Sequence, residues 1–64
     1  MSDPVRRDVY FEFTAIGTTV KVTAIDSVTG IEVAAIGPVS ASEADLKQLA
    51  LAKLKARLTR ERPR

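Results

Sequence analysis

The chain has no cysteine, no histidine and no tryptophan in its 64 residues. Without cysteine there is no disulfide, no thiolate nucleophile and no sulfur ligand for a metal. Without histidine the commonest metal ligand and the commonest general base are missing as well. Glycine is scarce: the three residues Gly17, Gly30 and Gly37 stand apart and make no phosphate-cradling loop. No apolar run approaches the roughly 20 residues that cross a bilayer. Neither a repeat nor a low-complexity segment interrupts the chain.

Size adds a second bound. A chain this short hides only about 60% of the surface its unfolded form exposes, so its net stability is expected to be a few kcal/mol. Domains of this size usually gain support from a disulfide, a metal or a partner subunit. Here only the partner subunit stays open. The opening residues Met1-Ser2-Asp3-Pro4, followed by Arg6 and Arg7, do not form a signal-peptide pattern, and a cytoplasmic location is expected.

Charge is unevenly spread. The net charge is +2, but residues 1–46 carry −4 and residues 47–64 carry +6. The pI of about 9.4 therefore belongs to the C-terminal third.

The hydrophobic period changes once along the chain. Residues 9–36 alternate apolar and polar, the period of a strand with one covered face. Residues 43–58 carry apolar residues at helical spacing. Strands are expected over 5–16, 19–26 and 31–36, after a lead of residues 1–4. Gly17-Thr18, with Gly first, suits a type II′ hairpin turn. Asp26-Ser27-Val28-Thr29-Gly30 is a turn built on Asp and Gly, and Gly37-Pro38 ends the third strand. These turns predict a register: Ile16 opposite Thr19, Phe13 opposite Val22, Phe11 opposite Ala24, then Ala24 opposite Val33 and Val22 opposite Ala35. Both hairpins then turn the same residues inward: Val9, Phe11, Phe13, Ala15, Val20, Val22, Ala24, Ile31, Val33 and Ala35. A slip of one residue in either hairpin breaks that agreement.

A helix is expected over 40–58. Ser40 with Glu43 matches a capping box, and Ser42 with Asp45 is the alternative start. Leu46, Leu49, Ala50, Leu54 and Leu58 form its buried stripe. Lys53 and Arg57 fall within the same arc, their stems running along the sheet edge with the charges in water. Residues 59–64 read as a basic tail. The expected fold is α+β: a three-stranded antiparallel meander with one C-terminal helix on one face, a single domain.

Catalytic chemistry finds little to use. Ser2, Ser27, Ser40 and Ser42 sit in a terminus, a turn and a helix cap, with no base to activate them. Glu12 and Glu32 lie on the outer face of the two edge strands, roughly 10 Å apart across two strand spacings, with no pocket to perturb them. Asp26, Ser27 and Thr29 resemble a calcium loop only superficially, since the further carboxylates are missing. No catalytic residue, cofactor or metal is expected, and the chain reads as a non-enzyme.

Two surfaces remain. The outer sheet face carries Tyr10 opposite Ile25, with Ile16, Ala34 and Ile36 nearby, and a single helix leaves it bare. An open apolar face or an unpaired edge strand invites association. Tyr10, Ile16, Ile25 and Ile36 are accordingly the expected interface, to an unknown protein partner or to a second copy in a homodimer. The other surface is the basic helix end: Lys53, Lys55, Arg57, Arg60, Arg62 and Arg64 suit contacts with a polyanion such as nucleic acid. Reading DNA with the outer sheet face is disfavoured, because Glu12 and Glu32 oppose the phosphates.

The segments Val9-Tyr10-Phe11-Glu12-Phe13, Gly17 to Val22, Asp26 to Val33, Gly37-Pro38 and the Ser-Ala-Ser helix start resemble a family of short alphaproteobacterial proteins of unknown function. The similarity spans residues 9–58. It implies the β-β-β-α fold and a bacterial cytoplasmic origin, and it brings no activity, cofactor or catalytic residue.

Overall fold

Strand-forming Val, Ile, Thr and aromatic residues alternate with polar ones on either side of two glycine turns, and the chain folds back on itself at each. A computed structural model describes residues 8–61. Strand β1 covers Val9–Ile16, β2 Thr19–Asp26 and β3 Glu32–Pro38, followed by helix α1 over Glu43–Glu61. The sheet is antiparallel with order β1-β2-β3, so the fold is the α+β meander that the period change predicts.

Both turns fix the expected register. Gly17 has φ 60° and Thr18 has no positive φ, which is the type II′ pattern. Ile16 then faces Thr19 and Phe13 faces Val22. At the second turn Gly30 has φ 76° and its N–H donates to the Asp26 carbonyl at 2.9 Å. Ala24 faces Val33 and Val22 faces Ala35, so both hairpins agree as predicted.

The third strand runs two residues further than expected. Gly37 and Pro38 pair with Val20 and Thr19 rather than ending the strand. Backbone bonds show why Pro38 is tolerated. Asp26 N–H donates to the Ile31 carbonyl, and Val39 N–H donates to the Thr18 carbonyl. Residues directly opposite alternate between bonded and unbonded pairs, so the odd-numbered residues of β3 face β2 and the even-numbered ones face the free edge. Pro38 therefore lacks an N–H only on the outer side.

Helix α1 starts at Glu43, not Ser40. The Ser42 hydroxyl accepts from Asp45 N–H at 3.3 Å, and the Ser42 carbonyl accepts from Leu46 N–H at 3.1 Å. Ser42 is thus the cap, the alternative start. Ser40 falls in the turn after β3, where the Pro38 carbonyl accepts from Ala41 N–H at 2.9 Å. The helix also continues past Leu58 through Glu61. The expected lead 1–4, the first strand residues 5–7 and tail residues 62–64 lie outside the described residues.

The core is Val22, Ala24 and Ala35 of the sheet against Leu46, Ala50 and Leu54 of the helix. Val9, Phe11, Val20, Ile31, Val33, Ala41 and Leu58 pack around it, half-buried. Leu46 touches Gly37 and the Lys53 amine reaches the Ala34 carbonyl. The helix therefore runs antiparallel to β3.

Three expected core residues are not in the core. Phe13 is 41% exposed, Ala15 is exposed and Leu49 is 50% exposed. The helix sits over β2 and β3, where the small side chains of Ala24, Ala35 and Ala50 and the bare Gly37 allow close approach. That seat leaves the far half of β1 without a roof. Leu49 lies one turn before Lys53 and overhangs the outer edge of β3 with it.

Two outcomes test this seat. A β-carbon at Gly37 would lie 2.8 Å from Leu46 Cδ2. Gly37→Ala is therefore expected to destabilise by about 1–2 kcal/mol, although alanine in a strand interior otherwise gains up to about 1 kcal/mol over glycine. Urea unfolding of the two proteins measures the sign. Ser42→Ala is expected to cost about 1 kcal/mol and Ser40→Ala almost nothing, because only the first removes a cap.

Candidate functional site

Side chains of the outer face stand in rows set by the register. Tyr10, Ile25 and Glu32 form one row, and Glu12, Thr23 and Ala34 the next. Thr14, Lys21 and Ile36 form the third, and Ile16, Thr19 and Pro38 the last. Tyr10 is 57% exposed, Ile36 65% and Ile16 70%. Ile25, on the central strand against Tyr10, is half-buried, and Thr23 beside it is buried.

The four expected interface residues thus share one face but fall into two groups. Tyr10 and Ile25 sit at the end near the second turn; Ile16 and Ile36 sit at the end near the first. Six residues along β1 separate Tyr10 from Ile16, about 20 Å at strand rise. Glu12, Thr14, Lys21 and Thr23 lie between, so the apolar surface is divided by a polar belt. Glu12 and Glu32 are both exposed, on the two edge strands and in neighbouring rows.

The basic helix end is partly committed to the fold. The Lys53 amine donates to the Ala34 carbonyl at 2.6 Å. Ala34 is an even-numbered residue of β3, so this carbonyl points out from the free edge, and Lys53 occupies it. The Arg57 guanidinium donates to the Glu61 carboxylate at 3.0 Å, one turn on. Lys55 lies on the opposite side of the helix from Lys53 and Arg57, at helical spacing. Arg60 is exposed in the last turn. Arg62 and Arg64 lie outside the described residues.

Two side chains do work that sequence reading missed. The Lys47 amine stands over the Phe11 ring, 5.0 Å from its centroid, a contact worth about 0.5–1 kcal/mol at an exposed site. Its signal was present, since Lys47 follows Leu46 on the side of the helix that faces β1. Asp26 is fully buried, and its Oδ2 accepts from both Thr29 N–H at 2.9 Å and Thr29 Oγ1–H at 2.8 Å. The Thr29 hydroxyl oxygen in turn accepts from Ile31 N–H at 3.1 Å. The residues that superficially suggest a calcium loop therefore lock the second hairpin. Among the described residues no group of three or more Asp or Glu stands close enough to hold a metal ion. No helix among them is long and apolar enough to cross a membrane.

Residues 6–61 match the family described as Domain of unknown function (DUF6898). The chain belongs to this family. The match takes in all three strands and the whole of α1, so the fold described above is that of the family domain. No curated protein and no solved structure matches the chain.

The buried carboxylate provides a test of what holds the second hairpin. Asp26→Ala removes the acceptor for two part-buried bonds from Thr29, and a loss of about 1–2 kcal/mol is expected. Thermal unfolding followed by circular dichroism reads it; a midpoint unchanged from the parent would show that the Thr29 bonds contribute nothing.

Proposed function

We propose that this domain is a non-enzymatic interaction module that associates through the uncovered parts of its sheet. One observation carries the reading: a single helix covers one side of β2 and β3, and large apolar side chains stand in water on the rest of the sheet. Tyr10, Ile16 and Ile36 are each more than half exposed. Exposed aromatic and branched residues on an open sheet are the usual material of protein contacts. A bacterial and cytoplasmic setting, in the alphaproteobacteria, belongs to the same reading and rests on the family resemblance of its turns and cap.

Size argues in the same direction. Among the described residues the buried apolar core consists of Val22, Ala24, Ala35, Leu46, Ala50 and Leu54, and half of those are alanine. Such a core supplies little stability on its own, and association adds to it by mass action.

The nucleic-acid reading, through Lys53, Lys55, Arg57, Arg60, Arg62 and Arg64, has less support from the described residues. Lys53 and Arg57 already have partners within the chain, and Lys55 points away from both. Among the described residues a polyanion would meet few free cations on any one side of the helix.

Sedimentation equilibrium tests the reading directly. At high micromolar concentration, a species heavier than the 6.9 kDa chain is expected. Ile36→Glu is expected to leave stability within about 0.5 kcal/mol of the parent, because the side chain is exposed. Ile25→Glu is not a clean probe, since Ile25 is half-buried against Tyr10. A protein that stays monomeric and captures no protein from a bacterial lysate, with or without nuclease, would overturn the proposal.

A further inference from the structure

The two edges of the sheet are not alike. On β3 the outer carbonyl of Ala34 is taken by Lys53, Pro38 offers no N–H, and Leu49 overhangs. Lysine and proline at an edge are the usual guards against pairing with another chain. On β1 the described residues provide no such guard. Its eight residues, VYFEFTAI, include no proline, glycine or lysine and only one charge, Glu12.

Hydrogen-bond alternation says which groups β1 leaves open. Ser27 N–H donates to the Asp8 carbonyl at 3.0 Å, so even-numbered residues of this strand face β2. The N–H and C=O of Val9, Phe11, Phe13 and Ala15 therefore point away from the sheet. Side chains of these same residues stand on the helix side, where α1 stops short of the last two: Phe13 is 41% exposed and Ala15 is exposed.

We infer that β1 pairs antiparallel with β1 of a second copy, in a register centred on Phe13, joining two sheets into one. This rests on the interaction reading above and names its partner and its site. Outward groups must meet outward groups, so a two-fold axis has to pass through a residue of the strand, not between residues. Centring on Glu12 sets two carboxylates directly opposite each other, which is unfavourable. Centring on Phe11 sets Tyr10 against Glu12 and puts Ala15 and Ile16 opposite positions 7 and 6, outside the described residues.

Centring on Phe13 matches each residue from Tyr10 to Ile16 to a suitable partner, with Val9 alone beyond the paired stretch. On the outer face Tyr10 meets the partner's Ile16, and Glu12 meets the partner's Thr14. On the helix side Phe13 meets its own copy, and Phe11 meets the small Ala15 of the partner, which leaves room for Lys47 above the ring. Every outward N–H and C=O of Phe11, Phe13 and Ala15 finds a bond. Both helices lie on the same side of the joined sheet. Because each sits over its own β2 and β3, they flank the paired β1 strands without colliding.

The test uses an edge block and a register probe. Ala15→Pro removes one outward donor and no bond to β2, so the variant keeps its circular dichroism spectrum. Its dissociation constant, measured by sedimentation, is expected to rise at least about tenfold. Ile36→Glu, on the other edge, is expected to leave association unchanged. For register, Glu12→Cys and Thr14→Cys chains are mixed in equal amounts and oxidised; the parent has no cysteine to interfere. The mixed 12–14 disulfide, read by mass, should exceed the share that random collision gives.

A dominant 12–12 disulfide would overturn the register. Association lost with Ile36→Glu but kept with Ala15→Pro would overturn the edge and leave the interaction reading standing on the outer face. A monomer at every concentration, with random cross-linking, would overturn self-pairing. Whether the monomer still captures a different protein then decides the interaction reading separately.

Discussion

The close seat of α1 on β2 and β3 governs the rest of the molecule. Four small residues make it: Ala24 and Ala35 on the sheet, Ala50 on the helix, and Gly37, whose missing β-carbon gives Leu46 its place. Small side chains let backbones approach, and approach excludes water from Val22, Leu46 and Leu54. The same seat has a cost. A helix drawn toward β3 cannot also cover β1, so Phe13 and Ala15 lose their roof and Leu49 overhangs the opposite edge.

Edges follow from that placement. The side of the helix that overhangs β3 carries Lys53, whose long stem reaches down to the Ala34 carbonyl and closes one edge acceptor. The side that faces β1 carries Lys47, which reaches the Phe11 ring and not the backbone. One helix thus treats the two edges differently. An edge strand with free N–H and C=O groups is a template for another strand, and among the described residues β1 is the edge without a lysine or proline guard.

Much of this was legible in the sequence, and the limits are physical. Gly17-Thr18 and the Asp26–Gly30 turn each dictate a loop length, and loop length dictates register, so the facing of every strand residue followed. Period two tells which face a residue is on. It does not tell whether that face is covered, so Val22 and Ala24 are buried while Phe13 and Ala15, on the same face as expected, are exposed. Leu49 failed for a related reason: a helical stripe gives the apolar arc, and the tilt toward β3 decides which border of the arc meets the sheet. Ser40 and Ser42 both offered capping chemistry, and only the tight turn after Pro38 selects Ser42. Gly37 looked like a strand terminator because its close contact with Leu46 is long-range. Asp26 forms the turn its sequence context predicts, while its full burial is a long-range property of the sheet around the second hairpin.

The division of labour among polar side chains bears on function. Ser42 caps the helix, Asp26 and Thr29 lock a hairpin, Lys47 covers an aromatic ring, Lys53 closes an edge, and Arg57 pairs with Glu61. Bond-making chemistry requires polar groups held together with their reactive atoms directed at a substrate. Among the described residues, Asp26, Thr29, Ser42, Lys53, Arg57 and Glu61 are directed at the chain's own backbone or at one another. Glu12, Glu32, Lys55 and Arg60 stay in water, on separate elements or separate faces. What is left uncommitted and contiguous is different in kind: phenylalanine, alanine and a row of backbone donors and acceptors along β1. Those groups gain by excluding water together with a complementary strand, and a second copy of β1 brings the same groups in reversed order.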